Sequence, residues 1–308
     1  MNNEQFVGKR IGLCAVALCL AVPSPAVMQT TFVDDAKRSV VLPPIFPPQY
    51  RSPTLIRQLP EVDNAAVDAE LLAIKPDIYV DYGTVHEDYI ASVEAVQRRT
   101  RVPGIILDGA LTRIPETYRR LGAALGVAAR GGRLGAAADR ILTKYRGTLA
   151  AAPSPLRVYL ACSPDGFVPC VADEPAGEQL AWLGAVNVVG TRAVAPRRPL
   201  TIDEIKALGP EAIVIVGGAG AASRLRANPA WKVVDAVGRD RVYQYPALPY
   251  GWGPRPPSVN RLPGLVWLAS VLSGRTSDAA FSDDIRSVFR DFYHLELSDQ
   301  QLRTLVAQ

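Results

Sequence analysis

The sequence repeats one pattern twice: residues 71–83 read LLAIKPDIYVDYG, and residues 205–217 read IKALGPEAIVIVG. In each copy a helix-like segment is followed by a proline, an acidic residue and an apolar run that ends at glycine. Proline cannot continue a helix, and a short apolar run bounded by turn residues is typical of a buried strand. The repeat therefore predicts the same helix, strand and turn in both halves of the chain.

The similarity continues downstream of each copy. Residues 87–99 and 221–237 have helical spacing, and strand-like runs follow at 102–107 and 241–245. Two strands joined by a helix are parallel neighbours in one sheet. Each half is therefore predicted to be an α/β lobe with a parallel sheet.

The two halves are not equal. The second half has one further unit in front, with a strand at 156–161 and a helix at 177–185. The first half should have its counterpart between residues 38 and 65, but prolines crowd that stretch. Proline at this density excludes a central strand or a long helix. We therefore expect the first lobe to lack one βα unit of roughly 30 residues.

The segment between the halves, 112–150, has apolar residues at spacings of three and four. This pattern predicts a long amphipathic connecting helix, either unbroken or broken at Gly131–Gly132. The expected organisation is an N-terminal lobe at 27–111, this connecting helix, and a C-terminal lobe at 151–308 that ends in two or three helices. A helical link holds two lobes at a more fixed distance than a flexible linker does.

The N-terminus has the layout of a secretory signal peptide. A basic pair precedes an apolar run from Ile11 to Val22, and small residues follow it. The run is shorter than the roughly 20 residues that a membrane-spanning helix needs. Leucines precede Cys14 and Cys19, which disfavours lipid attachment. We therefore expect residues 1–26 to be removed and the protein to be exported to the periplasm.

Composition disfavours several classes of function. The formal net charge is +4 and the basic residues are scattered, which does not favour nucleic-acid binding. No later segment reaches membrane-spanning length. There are two histidines, so we expect no metal site held by a histidine cluster and no resident cofactor. No partnered Ser/His/Asp set or Cys/His pair is evident, so we expect no enzyme.

The chain after residue 26 has two cysteines, Cys162 and Cys170. In an oxidising compartment they could form a disulfide that closes the loop between them. Two buried free thiols are the equal alternative, because the distance between the two side chains does not follow from the sequence.

Ligand binding is expected beyond the carboxyl ends of the strands, where open parallel sheets place their ligands. Facing lobes would make these loops line a cleft. The stretch from residue 250 to 257 stiffens aromatic and arginine side chains with glycine and proline, which suits a large, flat or anionic ligand. The alternative is that its tryptophan only fills the base of the lobe. The ligand-facing candidates are Tyr82, Asp165, Tyr250, Trp252 and Arg255.

A series of motifs then resembles a known family, the periplasmic binding proteins of iron-siderophore, haem and cobalamin importers. The motifs that carry the resemblance, in chain order, are FVDDAKRSVVLP (32–43), VPGIILDG (102–109), IPETYRRLGAALG (114–126), WLGAVNVVG (182–190), NPAWKVVDAVGRDRVYQYP (228–246) and PPSVNRLPGLVWLA (256–269). The resemblance implies the class III periplasmic binding protein fold, with two Rossmann-like lobes joined by a long helix. It implies a ferric chelate, haem or corrinoid as ligand, with an oxyanion such as molybdate as an open variant.

The resemblance also implies a partner, a membrane permease with its ATPase, and a monomeric binding protein. Members of the family dock through an acidic residue on each lobe. On the second lobe Asp203 stands at that position, beside Glu204. On the first lobe the position is Ala69, and Asp68 and Glu70 flank it. The docking candidates are Asp203, Glu204 and Glu70.

Two alternatives remain open at this point. The shortened first lobe suggests a degenerate family member that binds no ligand and acts as an interaction protein. The subgroup described as iron-transport binding proteins, which residues 256–269 and 291–302 resemble, usually has an Arg-Gly pair where Cys162-Ser163 stands, so a cation of the cleft is absent here. An exported α/β enzyme would need a pair of partnered catalytic groups within hydrogen-bond reach.

Overall fold

The computed structural model describes residues 85–150, 154–196, 198–248, 251–254 and 258–306, together with the short segments 11–13, 33–34, 39–40, 68–69, 71–73 and 78–83. The chain forms two compact units, Met1–Ala136 and Ala137–Gln308. Within the described part of the chain, no helix combines the length and the apolar character needed to cross a membrane.

In the first unit, strands β1 (Ile11–Leu13), β4 (Ile78–Gly83) and β5 (Gly104–Asp108) form a parallel three-stranded sheet in that order. Strand β4 (Ile78–Gly83) is the strand of the first repeat, and residues 71–73 before it are helical. Helix α1 (Glu87–Thr100) leads to β5 (Gly104–Asp108), so the predicted strand–helix–strand unit is present. Strands β2 (Val33–Asp34) and β3 (Ser39–Val40) form a separate antiparallel pair.

Strand β1 (Ile11–Leu13) takes an unexpected place in this sheet. It pairs with β4 in parallel, with Ile11 opposite Ile78. The sequence predicts that the corresponding unit is missing from residues 38–65, and most of that stretch lies outside the described residues, so this stays a prediction. The segment that pairs with β4 instead belongs to the predicted signal peptide, which stays a prediction. Removal of residues 1–26 would leave β4 at the edge of the described sheet.

The second unit contains a parallel four-stranded sheet in the order β7, β6, β8, β9. Its strands are β6 (Arg157–Ala161), β7 (Val186–Asn187), β8 (Ala212–Ile215) and β9 (Val242–Gln244). Every residue of β8 is fully buried, as its continuous apolar run predicts for a strand covered on both faces.

Helices cover this sheet. Helix α4 (Pro175–Leu183) connects β6 to β7, and helix α5 (Ile202–Ala207) precedes β8. The predicted helix at 221–237 is interrupted at Asn228-Pro229, giving α6 (Ala221–Ala227), a 3₁₀ turn (Pro229–Val233) and α7 (Asp235–Gly238). The C-terminal region forms three helices, α8 (Arg261–Ser273), α9 (Ala279–Tyr293) and α10 (Asp299–Val306).

The connecting region is not one continuous helix. A 3₁₀ turn (Leu111–Arg113) leads into α2 (Ile114–Ala124), and α3 (Ala128–Tyr145) follows after a short break. The break lies at Gly126, whose φ of 74° is in the left-handed region that glycine adopts readily. The expected break at Gly131–Gly132 was wrong, because both glycines lie inside α3.

Gly131 has a packing role that its neighbour lacks. A Cβ on Gly131 would lie 2.5 Å from the Tyr118 carbonyl oxygen, whereas a Cβ on Gly132 would meet nothing within 4 Å. Close approach of α2 and α3 therefore requires glycine at 131 and not at 132, and Gly122 and Gly135 are packed as closely, each with an added Cβ 2.7 Å from the backbone of the other helix.

We predict opposite effects for two adjacent substitutions in α3. Gly131→Ala should lower the free energy of unfolding by about 1–3 kcal/mol, because the helices must move apart. Gly132→Ala should raise it by up to about 1 kcal/mol, because alanine favours a helix over glycine. Urea unfolding followed by circular dichroism measures both, and equal effects at the two positions would contradict this packing.

Candidate functional site

The order of strands in the second sheet creates a crevice at its carboxyl edge. From β6 the chain moves to β7 on one side and then crosses to β8 on the other side. Because parallel crossovers are right-handed, the segments that leave β6 and β8 turn to opposite faces of the sheet. Ligands of open α/β sheets bind at such a switch point. The segments that border it here are the turn after β6 and the turn between β8 and α6.

The turn after β6 places Asp165 at this edge. The Ser163 hydroxyl donates to Asp165 Oδ1 at 2.5 Å, and the Phe167 amide donates to the same oxygen at 3.1 Å. Gly166 N–H closes the turn on the Ser163 carbonyl at 3.0 Å. Hydrogen bonds to the charged form, first from Ser163 and then from Phe167, lower the pKa of the Asp165 carboxyl. The exposed carboxylate is therefore ionised and fixed in direction.

The core of the second unit supports this turn from below. The buried Tyr159 hydroxyl donates to the Gly166 carbonyl at 2.8 Å. Gly166 has a φ of 86°, and a Cβ there would lie 2.6 Å from the Trp231 ring. The Trp231 ring is fully buried and packs against Phe167, with ring centroids 5.2 Å apart. The turn is thus held by both polar and aromatic contacts.

A disulfide joins Cys162 and Cys170 across the base of the same loop, with Cα atoms 5.1 Å apart. Backbone bonds run beside it, from Cys162 N–H to the Val168 carbonyl at 2.7 Å and from Cys170 N–H to the Leu160 carbonyl at 2.9 Å. Of the two alternatives that the sequence left open, the structure has the bonded pair.

The loop that contains Trp252 is anchored in the core. The Trp252 amide donates to the Pro246 carbonyl at 3.0 Å, and its Nε1 donates to the Leu248 carbonyl at 2.8 Å. The side chain is 1% exposed and packs on Phe289. In this structure Trp252 anchors the loop, as the alternative interpretation of the sequence had it. Tyr250 and Arg255 lie outside the described residues, so their predicted ligand contacts stay predictions.

A buried polar network behind this loop was not predicted from the sequence. The Tyr245 hydroxyl donates to Gln179 Oε1 at 3.0 Å, and Gln179 Nε2 donates to the Arg261 carbonyl at 2.9 Å. The buried Arg261 guanidinium pairs with Glu178 at 2.7 Å. The network joins the end of β9 to α4 and α8. In the sequence, the signal for this network was the presence of Gln179 and Arg261 within otherwise apolar segments.

In the first unit the carboxyl ends of β4 and β5 are tied together. The Gly109 amide donates to the Gly83 carbonyl at 2.8 Å. Asp108 accepts from the Ala110 amide at 2.9 Å, and its other oxygen lies 3.8 Å from Arg113 Nε. Arg113 is a half-exposed cation beside this edge, which also pairs with Glu116 at 2.7 Å, and the sequence reasoning missed it. Tyr82 lies in β4 as predicted, and its side chain lies outside the described part of the structure, so its ligand contact stays a prediction.

The two predicted docking acids of the second lobe differ in whether their carboxylates already have side-chain partners. Thr201 and Glu204 form a capping box at the start of α5. Arg198 also donates two hydrogen bonds to the Glu204 carboxylate, at 2.6 and 2.9 Å. These bonds, first from Arg198 and then from the Thr201 amide, lower the pKa of Glu204 to about 2. Asp203 is exposed and has no side-chain partner among the described residues, so it is the free acid of the two.

The first-lobe counterpart is only partly described. Ala69 is exposed, and the Asp68 carboxylate forms a hydrogen-bonded ion pair with Arg99 on α1. Glu70, the predicted docking acid of this lobe, lies outside the described residues and stays a prediction.

Comparisons with known proteins identify the fold. No family model matches the chain, and no curated protein matches its sequence. An ABC transporter solute-binding protein from Sulfurospirillum deleyianum DSM 6946 is similar in structure, with a TM-score of 0.75, 22% identity, and coverage of 97% of this chain and 94% of that one. The chain has the class III periplasmic binding protein fold.

Two further solved structures of this fold are similar to the chain. The molybdate-binding protein MolA of Haemophilus influenzae has a TM-score of 0.63 at 16% identity, with 96% of this chain and 98% of that one covered. The vitamin B12-binding protein BtuF of Vibrio cholerae has a TM-score of 0.60 at 16% identity, with 88% and 98% covered. The fold class predicted from the repeat and the motifs is confirmed.

We predict that Glu204→Gln destabilises the second unit at neutral pH. Because folding depresses the pKa of Glu204 from 4.5 to about 2, its charge stabilises the folded state above about pH 4.5. This contribution is lost as the pH falls towards 2. Thermal unfolding from pH 2 to 7 should therefore show a Tm difference that vanishes at the acid end. The control Asp203→Asn should leave the Tm nearly unchanged, and a pH-independent deficit in Glu204→Gln would contradict the assignment.

We predict that the disulfide stabilises the folded state by constraining a short loop in the unfolded chain. Replacing Cys162 and Cys170 together by alanine should lower the free energy of unfolding by roughly 2–3 kcal/mol. A reducing agent should lower the stability of the unmodified protein to a similar extent and leave the double variant unaffected. Equal unfolding midpoints with and without reductant would contradict this prediction.

Proposed function

We propose that this protein is the periplasmic solute-binding component of an ABC transporter. We propose further that it captures a metal chelate, with a ferric chelate as the favoured ligand, and delivers it to a permease. The observation that carries the proposal is the structural match to a solute-binding protein over 97% of this chain and 94% of that one. The motif series in the sequence supports the same class of protein independently of the structure.

Two observations support this ligand class: the sequence resemblance, and the carboxyl edge of the sheet in the second lobe. Solved structures of the same fold are named for vitamin B12, for haem and for molybdate. The preformed turn at Asp165 supplies a fixed carboxylate at the edge where such sheets bind ligands. We propose a ferric chelate as the ligand, with haem and corrinoids as the nearest alternatives.

An enzymatic role has less support from the described side chains. The Ser163 hydroxyl donates to the Asp165 carboxylate, and this hydrogen bond stabilises the turn that contains both residues. His86 caps the start of α1, and its Nδ1 accepts from the Tyr89 amide at 3.2 Å. His294 ends α9 in a left-handed conformation. Each of these residues has a local structural role.

Ligand titration tests the proposal. Purified protein should bind one of ferric citrate, a ferric catecholate or hydroxamate siderophore, haem or cyanocobalamin, with saturable quenching of tryptophan fluorescence. Calorimetry on the same samples checks the stoichiometry. Failure of all of these compounds to bind would contradict capture of a metal chelate and would favour the degenerate, non-binding alternative.

Docking gives a second, separable prediction. Asp203→Lys should reduce stimulation of the permease-bound ATPase at least tenfold, because an exposed acid that meets an arginine mainly sets encounter rate and register. Ligand affinity should not change, since Asp203 lies at the start of α5. Glu296→Lys, which makes the same charge change at another exposed site, is the control. Unchanged stimulation by Asp203→Lys would exclude this residue as a docking contact.

A further inference from the structure

A groove of about 360 Å³ opens on the surface of the second unit. One wall comes from residues 168–174, which lead from β6 to α4. The other comes from residues 192–196 and 198–199, which lie between β7 and α5. The apolar residues that line the groove are Val168, Pro169, Val171, Ala195, Pro196 and Pro199.

Much of this apolar lining is open to solvent. Val168 is 39% exposed, and Pro196 and Pro199 are exposed as well. Val194, which precedes Ala195 in the chain, is 75% exposed, more than any other large apolar side chain that the structure describes. Exposed apolar side chains that are grouped together and rimmed by polar residues are typical of an interaction site.

Hydrogen bonds hold the two walls of the groove together. The Leu200 amide donates to the Phe167 carbonyl at 2.8 Å, and the Ala172 amide donates to the Gly190 carbonyl at 2.7 Å. Each of these bonds joins the segment after β6 to the segment after β7. The groove therefore exists before a partner binds, and little ordering of loops opposes binding.

Two ion pairs on the rim leave no lining arginine without an acidic partner. Arg192 Nη2 lies 2.7 Å from Glu174 Oε1, and Arg198 Nη2 lies 2.6 Å from Glu204 Oε1. Since both guanidinium charges are already compensated within the rim, a small anion is disfavoured as the occupant of the groove.

Two further acids give the described part of the rim an excess of negative charge. Asp173 and Asp203 are exposed, and neither carboxylate forms an ion pair with a described residue. Asp173 Oδ1 accepts from the Arg192 amide at 2.7 Å, a bond that leaves the carboxylate charge uncompensated. Arg197 lies outside the described residues. A partner surface with basic side chains complements this rim.

The groove is continuous with the acid that we propose for docking. Arg198 lines the groove, and its guanidinium donates to Glu204, the neighbour of Asp203 at the start of α5. We propose that the groove is the apolar part of the permease-docking surface. It takes an apolar side chain from a periplasmic loop of the permease whose basic side chains meet Asp203 and Asp173. An apolar centre with a polar rim is the usual anatomy of a protein interface, and this inference rests on the proposed function.

Binding kinetics separate the apolar contact from the charged one. Surface plasmon resonance follows association of the purified protein with the permease–ATPase complex, held in lipid nanodiscs. Val168→Asn combined with Val194→Asn should raise the dissociation rate roughly fivefold or more and change the association rate little, because lost apolar contacts act after encounter. Asp203→Lys should instead lower the association rate, and added salt should reduce that difference.

A matched pair of substitutions is the control. Val186→Asn combined with Val233→Asn changes two valines outside the groove that are 43% and 45% exposed, and this variant should bind as the unmodified protein does. Val194→Asn alone changes a side chain at the surface, so it should keep the fold and still raise the dissociation rate.

The outcomes separate this inference from the proposed function. An unchanged dissociation rate in the double groove variant, beside slower association of Asp203→Lys, would overturn the groove and leave the transport function standing. A dissociation rate raised equally by the control pair would also overturn it. Failure of the unmodified protein to associate with the complex would overturn both proposals.

Discussion

The second lobe depends on the parallel pairing of β6 with β8, in which Val158 to Ala161 lie opposite Ala212 to Ile215. Both segments are fully buried, so this pairing lies at the centre of the core of the lobe. Because β6 lies inside the sheet, the loops that follow β6 and β8 turn to opposite faces. The crevice at the carboxyl edge, the turn that carries Asp165 and the start of α6 all follow from this one pairing.

The core of the second lobe and the carboxyl edge of its sheet are physically coupled. Tyr159, on β6, donates to the Gly166 carbonyl, and the buried Trp231 ring leaves no room for a side chain at Gly166. Burial raises the pKa of the Tyr159 phenol, which keeps it neutral and able to donate. A side chain at the edge is thereby oriented by groups that belong to the sheet. Ligand binding at such an edge requires little reordering of the loop, and this favours affinity.

Much of this architecture could be predicted from the sequence because its signals are local. Proline and glycine at fixed offsets in the two repeats mark where helices stop and strands end, and β4 and β8 occur there. The contribution of Ile11–Leu13 to the first sheet could not be predicted, since an apolar run before small residues has the same pattern as a signal peptide. The break between α2 and α3 was placed at the wrong glycines, because Gly131 is needed for helix packing and Gly126 for the turn.

The candidate site was less predictable than the fold. Asp165 was named as a candidate because it lies in the loop after a predicted strand, whereas Gln179 and Arg261 have roles that arise from tertiary contacts between distant segments. Trp252 was expected to face the ligand, but its side chain is buried and its indole Nε1 donates a hydrogen bond to the Leu248 carbonyl. Aromatic composition alone does not distinguish a ligand contact from an anchor, since both bury a large apolar ring and satisfy one polar atom.

The carboxyl edge of the second lobe is preformed, and amide hydrogen exchange is the measurement that tests this. The amides of Gly166, Phe167, Val168 and Cys170 all donate to partners within the loop or β6. Without ligand, they should exchange as slowly as the amides of β6 and β8. Exchange of these four amides at the rate of an open loop, beside slow exchange in the strands, would contradict a preformed site.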